Sequence, residues 1–246
     1  MRGTLLNTLT VLIGSGLGLM IGNRLSQRVQ ESVITGLGLV TMFVGFSNAG
    51  ETGNIILPLL SLITGAIIGE LLRLDVQLER FAGWLQNRVQ GQPVEGVGDQ
   101  DSRARFIQGF VTASLVFCVG PLTFVGSIQD GMGLDSGFEQ LAIKSVLDAF
   151  AAMAFASSLG IGVMFSVVTV LAVQGGLALV GGLAGEFMTD PMINEMTAVG
   201  GLILIGLALI LLDLKKPRMV NFLPALILAP LIVAVGTALG IDLYPI

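Results

Sequence analysis

The feature that most constrains this chain is a series of apolar runs of membrane-crossing length, separated by short stretches that hold nearly all of its charge. A hydrocarbon core of ~30 Å takes roughly 20 apolar residues wound as a helix. Inside it, backbone N–H and C=O groups have to find their partners within the protein, which leaves helices as the natural solution for runs of this length. With 53% hydrophobic and 12% charged residues, the chain lies well below the quarter or so of charged residues found in soluble domains. The expected fold class is therefore all-α: a polytopic membrane helix bundle forming a single transmembrane domain over residues 1–246.

Eight spans are expected, over Leu5–Gly22, Val33–Phe46, Ile55–Leu72, Phe106–Val125, Leu141–Ser158, Val163–Leu183, Met196–Leu212 and Leu223–Leu239. The first run is expected to be retained, because no A-x-A-like cleavage site follows it and Arg24 and Arg28 come after it. Between the third and fourth spans, LRLDVQLERFAGWLQNRV sets Leu74, Leu78, Phe81 and Leu85 at helical spacing. That pattern predicts an interfacial amphipathic helix with Trp84 near the headgroups, followed by the polar linker GQPVEGVGDQDS. Basic residues favour the cytoplasmic side. With both termini outside, the inward loops collect Arg24, Arg28, Arg73, Arg80, Arg88, Arg103, Arg105, Lys215, Lys216 and Arg218. The outward loops hold Glu51, Asp130, Asp135, Glu139, Glu186, Asp190 and Glu195, with no basic residue.

The first three and last three spans share a pattern. GLGLMIG at Gly16–Gly22 lies against GLALVGG at Gly176–Gly182, and TGLGLV at Thr35–Val40 against TAVGGL at Thr197–Leu202. NIILPLL at Asn54–Leu60 lies against NFLPALI at Asn221–Ile227. The copies are offset by five spans, an odd number, so they are expected to run in opposite directions across the membrane. Repeat A covers 4–72 and repeat B 163–240, with a cytoplasmic helix and linker at 73–104 and central helices at 105–160. Inverted repeats of this kind are a frequent transporter architecture.

Several functions are disfavoured. There is no histidine, which removes imidazole metal sites and Ser–His catalysis. The single cysteine, Cys118, allows no internal disulfide. A net charge of −5, without a dense exposed basic run, speaks against nucleic acid. No GxxxxGK[ST] motif is present. No cofactor, metal or enzymatic activity is expected; the expected partners are the lipid bilayer and a small-molecule or ion substrate, and a homodimer is plausible through the Gly14, Gly18, Gly22 stripe.

Candidate site residues cluster at the centre. Asp148 sits several residues inside the fifth span, with Lys144 one turn earlier on the same face. Ionisable groups inside a membrane cost ~2.5–3.5 kcal/mol on insertion scales and normally face a cavity or a partner. The pair reads as an ion, proton or solute site, or as a structural ion pair. Gly120-Pro121 breaks the fourth span, because proline removes a backbone donor and disturbs the preceding turn. Thr123, Ser127, Gln129 and Asp130 follow closely, although Asp130 also suits a cap on the GMG loop. Asn7, Thr8 and Thr10 in the first span and Gln174 in the sixth fall at nearly matching depths of the two repeats; interhelical hydrogen bonding is the plainer alternative.

The runs CVGPLTFVGSIQDG (Cys118–Gly131), LAIKSVLDAFAAMAFASSLGIGVMFS (Leu141–Ser166) and GTLLNTLTVLIGSGLG near the start resemble the YqgA/YdfK-like bacterial membrane proteins, domain of unknown function 554. The resemblance covers essentially the whole chain and implies a multi-pass inner-membrane protein whose function is largely unassigned. The expected function is a secondary transporter or channel-like carrier. The alternative is a membrane scaffold or sensor acting through the 73–100 segment.

Overall fold

A computed structural model of the chain describes residues 1–22, 26–90, 99–118, 121–184 and 188–244. The first helices are α1 (Arg2–Gly22), α2 (Gln27–Ala49), α3 (Ile56–Leu72) and α4 (Leu74–Gln90). Then come α5 (Asp99–Cys118), α6 (Pro121–Gly131), α7 (Asp135–Leu159), the short α8 (Gly162–Phe165) and α9 (Val167–Ala184). The chain continues through α10 (Asp190–Leu211), a 3-10 turn at Met219–Phe222 and α11 (Pro224–Ala238). Among the described residues there is no strand.

The distribution of polarity is that of a membrane protein. Leu5, Leu9 and Ile13 on α1, Phe43 and Phe46 on α2, Ile63, Ile67 and Leu71 on α3, and Ile143 and Phe150 on α7 all face outward. Asn7, Ser15, Asp148, Gln174 and Glu195 are buried instead. Six helical stretches among the described residues are long and apolar enough to cross a membrane: Arg2–Gly22, Glu31–Ala49, Gly137–Leu159, Gly162–Leu183, Asp190–Leu211 and Met219–Ala238. The bent pairs α3–α4 and α5–α6 bring the total to eight when each is taken as one span. The eight lie where the apolar runs put them, with shifted ends.

Those shifts have local causes. The seventh span begins at Asp190 rather than Met196, because extended Thr189 is followed by Asp190 and Pro191 in the first helical turn. Proline suits that turn, where its missing N–H is not needed, and an acid there meets the positive end of the helix. Glu195, expected in an outward loop, therefore lies inside α10 and is fully buried. The fifth span likewise starts early, at Asp135 after extended Leu134. The sixth is split at Ser166, whose hydroxyl donates to the Val163 carbonyl at 2.7 Å, a back-bond that competes with the helix ladder.

The chain divides into two compact units. One comprises Met1–Leu37, Val76–Cys118 and Leu122–Gly185; the other comprises Gly38–Asp75, Val119–Pro121 and Glu186–Ile246. In the first, α1 and α7 run side by side in the same direction. Gly14, Gly18 and Gly22 bring the α1 backbone onto the carbonyls of Ala149, Met153 and Ser157, where any Cβ would collide. The glycine stripe is thus occupied within the chain by α7. Gly162 packs in the same manner on the Phe106 carbonyl of α5. The amphipathic helix is α4: Ala82, Leu78 and Leu85 pack against Phe106 and Phe110, while Trp84 is 56% exposed. Of the linker expected at 91–102, residues 91–98 lie outside the described residues, and 99–102 are not linker but the opening of α5.

In the second unit α3 and α11 are antiparallel, with Gly65 against Ala225 and Gly69 against Asn221. Their ends are tied reciprocally. The Asn54 amide, before α3, donates to the Leu243 carbonyl beyond the end of α11 at 2.7 Å. The Asn221 side-chain oxygen, before α11, accepts from the Asp75 N–H beyond the end of α3 at 2.8 Å.

Candidate functional site

The site is built on the α1–α7 pair of the first unit. Lys144 and Asp148 stand four residues apart on α7, so they share one face. The Lys144 ammonium donates to Asp148 Oδ2, and each residue is only 6% exposed. From α1, the Asn7 amide donates to the same oxygen at 2.9 Å. Asn7 Oδ1 is buried without a partner, as is the Thr4 hydroxyl one turn earlier on the buried side of α1. A buried acceptor left unpaired costs on the order of 1–3 kcal/mol, so several around one carboxylate amount to an unfilled hydrogen-bonding demand.

Two further helices bring polar groups to this level. Ser114 on α5 donates to Thr169 on α9 at 3.0 Å, and that register sets Gln174 level with Cys118 at the C-terminus of α5. Cys118, a buried free thiol, lies within electrostatic reach of both Lys144 and Asp148. Gln174 is fully buried, with neither its amide nitrogen nor its oxygen paired. Thr123 donates to the Phe117 carbonyl at 3.1 Å, which ties the start of α6 to the end of α5. Ser127, one turn on, is buried with an unpartnered hydroxyl.

The expected helix break is present: α5 ends at Cys118, α6 begins at Pro121, and the axes differ by 77°. Pro121 occupies the first position of α6, where its fixed φ and missing N–H are tolerated. Gly120 and the Pro121 side chain lie outside the described residues.

Asp130 and Gln129 have other partners. The Asp130 carboxylate accepts from the Gly3 N–H at 3.2 Å and lies 3.1 Å from the Met1 ammonium, so it sits on the first turn of α1 where a negative charge is favoured. Gln129 accepts from Gln140 at 3.3 Å, across the α6–α7 turn. Thr8 and Thr10 donate to the α1 carbonyls of Thr4 and Asn7. Of the expected residues, the structure thus joins Asn7, Lys144 and Asp148 directly, sets Gln174 level with Cys118 beside them, and gives Asp130 and Gln129 separate tasks.

One constellation was not expected. In the second unit, Glu195 accepts from the Thr52 hydroxyl at 2.7 Å and the Gly53 N–H at 3.0 Å. Near it stands the buried hydroxyl of Tyr244. The signal for it was the Thr189-Asp190-Pro191 helix start, which puts Glu195 inside the helix. Among the described residues no group of three or more Cys, Asp or Glu side chains gathers as a metal-binding cluster would.

Comparison with known proteins agrees with this architecture. Residues 2–234 match the family model described as protein of unknown function (DUF554). The chain is 32% identical to the uncharacterized protein YqgA of Escherichia coli (strain K12), covering 96% of this chain and 97% of that one. It is 24% identical to the uncharacterized membrane protein YdfK of Bacillus subtilis (strain 168), covering 98% and 99%. No solved structure matches. Near-complete coverage in both directions, together with a membrane-type helical architecture, identifies the chain as a multi-pass membrane protein of the DUF554 family.

Proposed function

We propose that this protein is a secondary transporter or channel-like carrier for a small solute or ion in the bacterial inner membrane. The observation that carries this reading is the buried Lys144–Asp148–Asn7 cluster, with acceptors left unpaired around it. A purely structural ion pair would be expected to satisfy its surroundings, because half-satisfied polar networks in a low-dielectric interior are destabilising. The α5–α6 break beside the cluster supports the same reading, since discontinuous helices commonly border mid-membrane sites in carriers. We take the working mechanism to be alternating access, with repeats 4–72 and 163–240 in inverted orientation and both termini outside. The reciprocal Asn54 and Asn221 ties, each from a matched Leu-Pro helix start to the segment beyond the other helix, support that symmetry. We assign the protein no catalytic chemistry of its own.

Thermal stability of the purified protein in detergent tests the proposal against a panel of ions, amino acids and organic acids. A ligand at a hundredfold excess over its Kd stabilises by ~2.7 kcal/mol. The expected result is a stabilising solute whose effect disappears in Asp148→Asn while the unliganded variant still unfolds cooperatively. A flat panel, unchanged by the substitution, would overturn the reading and leave Lys144–Asp148 as a structural pair.

A further inference from the structure

We propose that the α4–α5 corner of the first unit docks an anionic phospholipid of the phosphatidylglycerol class, its phosphodiester on Arg80 and Arg103 and an acyl chain along Phe81 and Trp84. Occupancy of this surface does not depend on the transport reading.

The level of the surface follows from where apolar sequence begins. On α5 the apolar run opens at Phe106, directly after Arg103 and Arg105. The Arg105 guanidinium donates to the Ser158 carbonyl at 3.1 Å, so it marks the same level at the end of α7. The inner face of α4 is held there too: Ala82, with Leu78 and Leu85, packs on Phe106 and Phe110. The helix thus lies where hydrocarbon gives way to headgroups, the zone that suits tryptophan and snorkelling arginine.

The outer face of α4 offers both halves of what an amphiphile needs. Phe81 and Trp84 are 39% and 56% exposed, and their rings stack with centroids 5.8 Å apart. Arg80 is exposed beside them. The positions three and four residues away, Val76, Gln77, Gly83 and Trp84, carry no acid to pair with it along the helix. A second exposed arginine arrives from α5. The Arg103 guanidinium fills the room that Gly83 leaves, since a Cβ there would stand 2.9 Å from Arg103 Nη2. Gly83 is one turn from Arg80, so two arginines from separate helices border one stretch of α4.

Charge selects the lipid. Arginine takes phosphate oxygens through paired N–H donors, and arginines close to a bilayer surface favour anionic lipid. A choline or ethanolamine headgroup would bring a cation of its own to these two. Acids stand nearby as well: Glu79 lies about 100° round α4 from Arg80, and Asp99 and Asp101 open α5. Such mixed charge holds a small free anion weakly. What sets the corner apart is arginine joined to exposed aromatic surface, which calls for a phosphate that carries a chain.

Trp84 is the sole tryptophan and reports on its own surroundings. The full chain is reconstituted in phosphatidylcholine vesicles that carry an equal minor fraction of chain-brominated phosphatidylglycerol or chain-brominated phosphatidylcholine. Bromine quenching of Trp84 is then compared. Expected is stronger quenching by the anionic lipid, corresponding to an enrichment of about fivefold beside Trp84. Arg80→Gln combined with Arg103→Gln is expected to bring the two lipids to parity. Lys215→Gln combined with Lys216→Gln, on the turn after α10, is expected to leave the enrichment in place. Equal quenching in the parent overturns the assignment without any variant having to fold. An enrichment that survives the arginine substitutions, or is lost equally with the lysine ones, overturns it too, because net charge and not this corner would then gather the lipid. Added glycerol 3-phosphate is expected to change nothing; if it abolishes the enrichment, the site belongs to a small free anion and the lipid assignment falls.

Discussion

At the scale of single residues, Tyr244 offers a direct optical readout because it is the sole tyrosine. Burial first, and the neighbouring Glu195 carboxylate second, push its phenol from the ordinary 10.0 up to about 12. The folded chain therefore holds the phenol proton more tightly than the unfolded chain. The associated stability is fully present below pH 10.0 and is lost as pH rises towards about 12. Ultraviolet titration of tyrosinate is expected to show a late midpoint, and Glu195→Gln should move it down towards the ordinary value; a midpoint unmoved by the substitution would dissociate the two groups. Lys144 and Asp148 were legible in the sequence because charge inside an apolar run is costly enough to need a reason. Glu195 was not, because it stands at the edge of its apolar run, where a loop and a first helical turn read alike until the proline is weighed.

At the scale of helices, the α1–α7 contact makes a sharp prediction. Gly18 abuts the Met153 backbone, so Gly18→Val must drive the two helices apart, and a loss on the order of 1–3 kcal/mol or more is expected in detergent melts. Gly36 on α2 faces open space, with nothing within 4 Å of where a Cβ would stand. Gly36→Ala is therefore expected to be neutral or to stabilise by up to about 1 kcal/mol, the usual helix-propensity gain. Equal losses at both positions would argue against the contact. The existence of each span was readable from hydropathy, and the α5–α6 break from Gly120-Pro121. Partner choice was not: a GxxxGxxxG stripe announces that another backbone comes close but carries nothing about whose. Here the partner is supplied by Ala149 and Ser157, residues of the alanine- and serine-rich second half of α7.

At the scale of the whole molecule, the proposed orientation can be read by thiol labelling. Cys118 is the only cysteine and is buried, so a Cys118→Ala background leaves no competing thiol. Glu51→Cys and Lys216→Cys place thiols at exposed turns. A membrane-impermeant maleimide is expected to reach Glu51→Cys from outside and Lys216→Cys only from the cytoplasmic side. Labelling of both from one side would refute the orientation. The basic turn is also engaged locally: Lys216 lies 3.1 Å from Asp213 and Arg218 3.2 Å from Glu70, contacts at exposed positions that add little stability.

The α1–α7 pairing also has a consequence for biogenesis. Asn7 and Asp148 are 141 residues apart in the chain. At synthesis rates of about 5–20 residues per second, α1 waits on the order of ten seconds in the bilayer before α7 leaves the ribosome. During that interval its glycine groove and one asparagine face lipid or the insertion machinery, a modest burden for an otherwise apolar helix. The two charges arrive later and together on one helix, already neutralising each other, and they meet an amide that has been waiting for them.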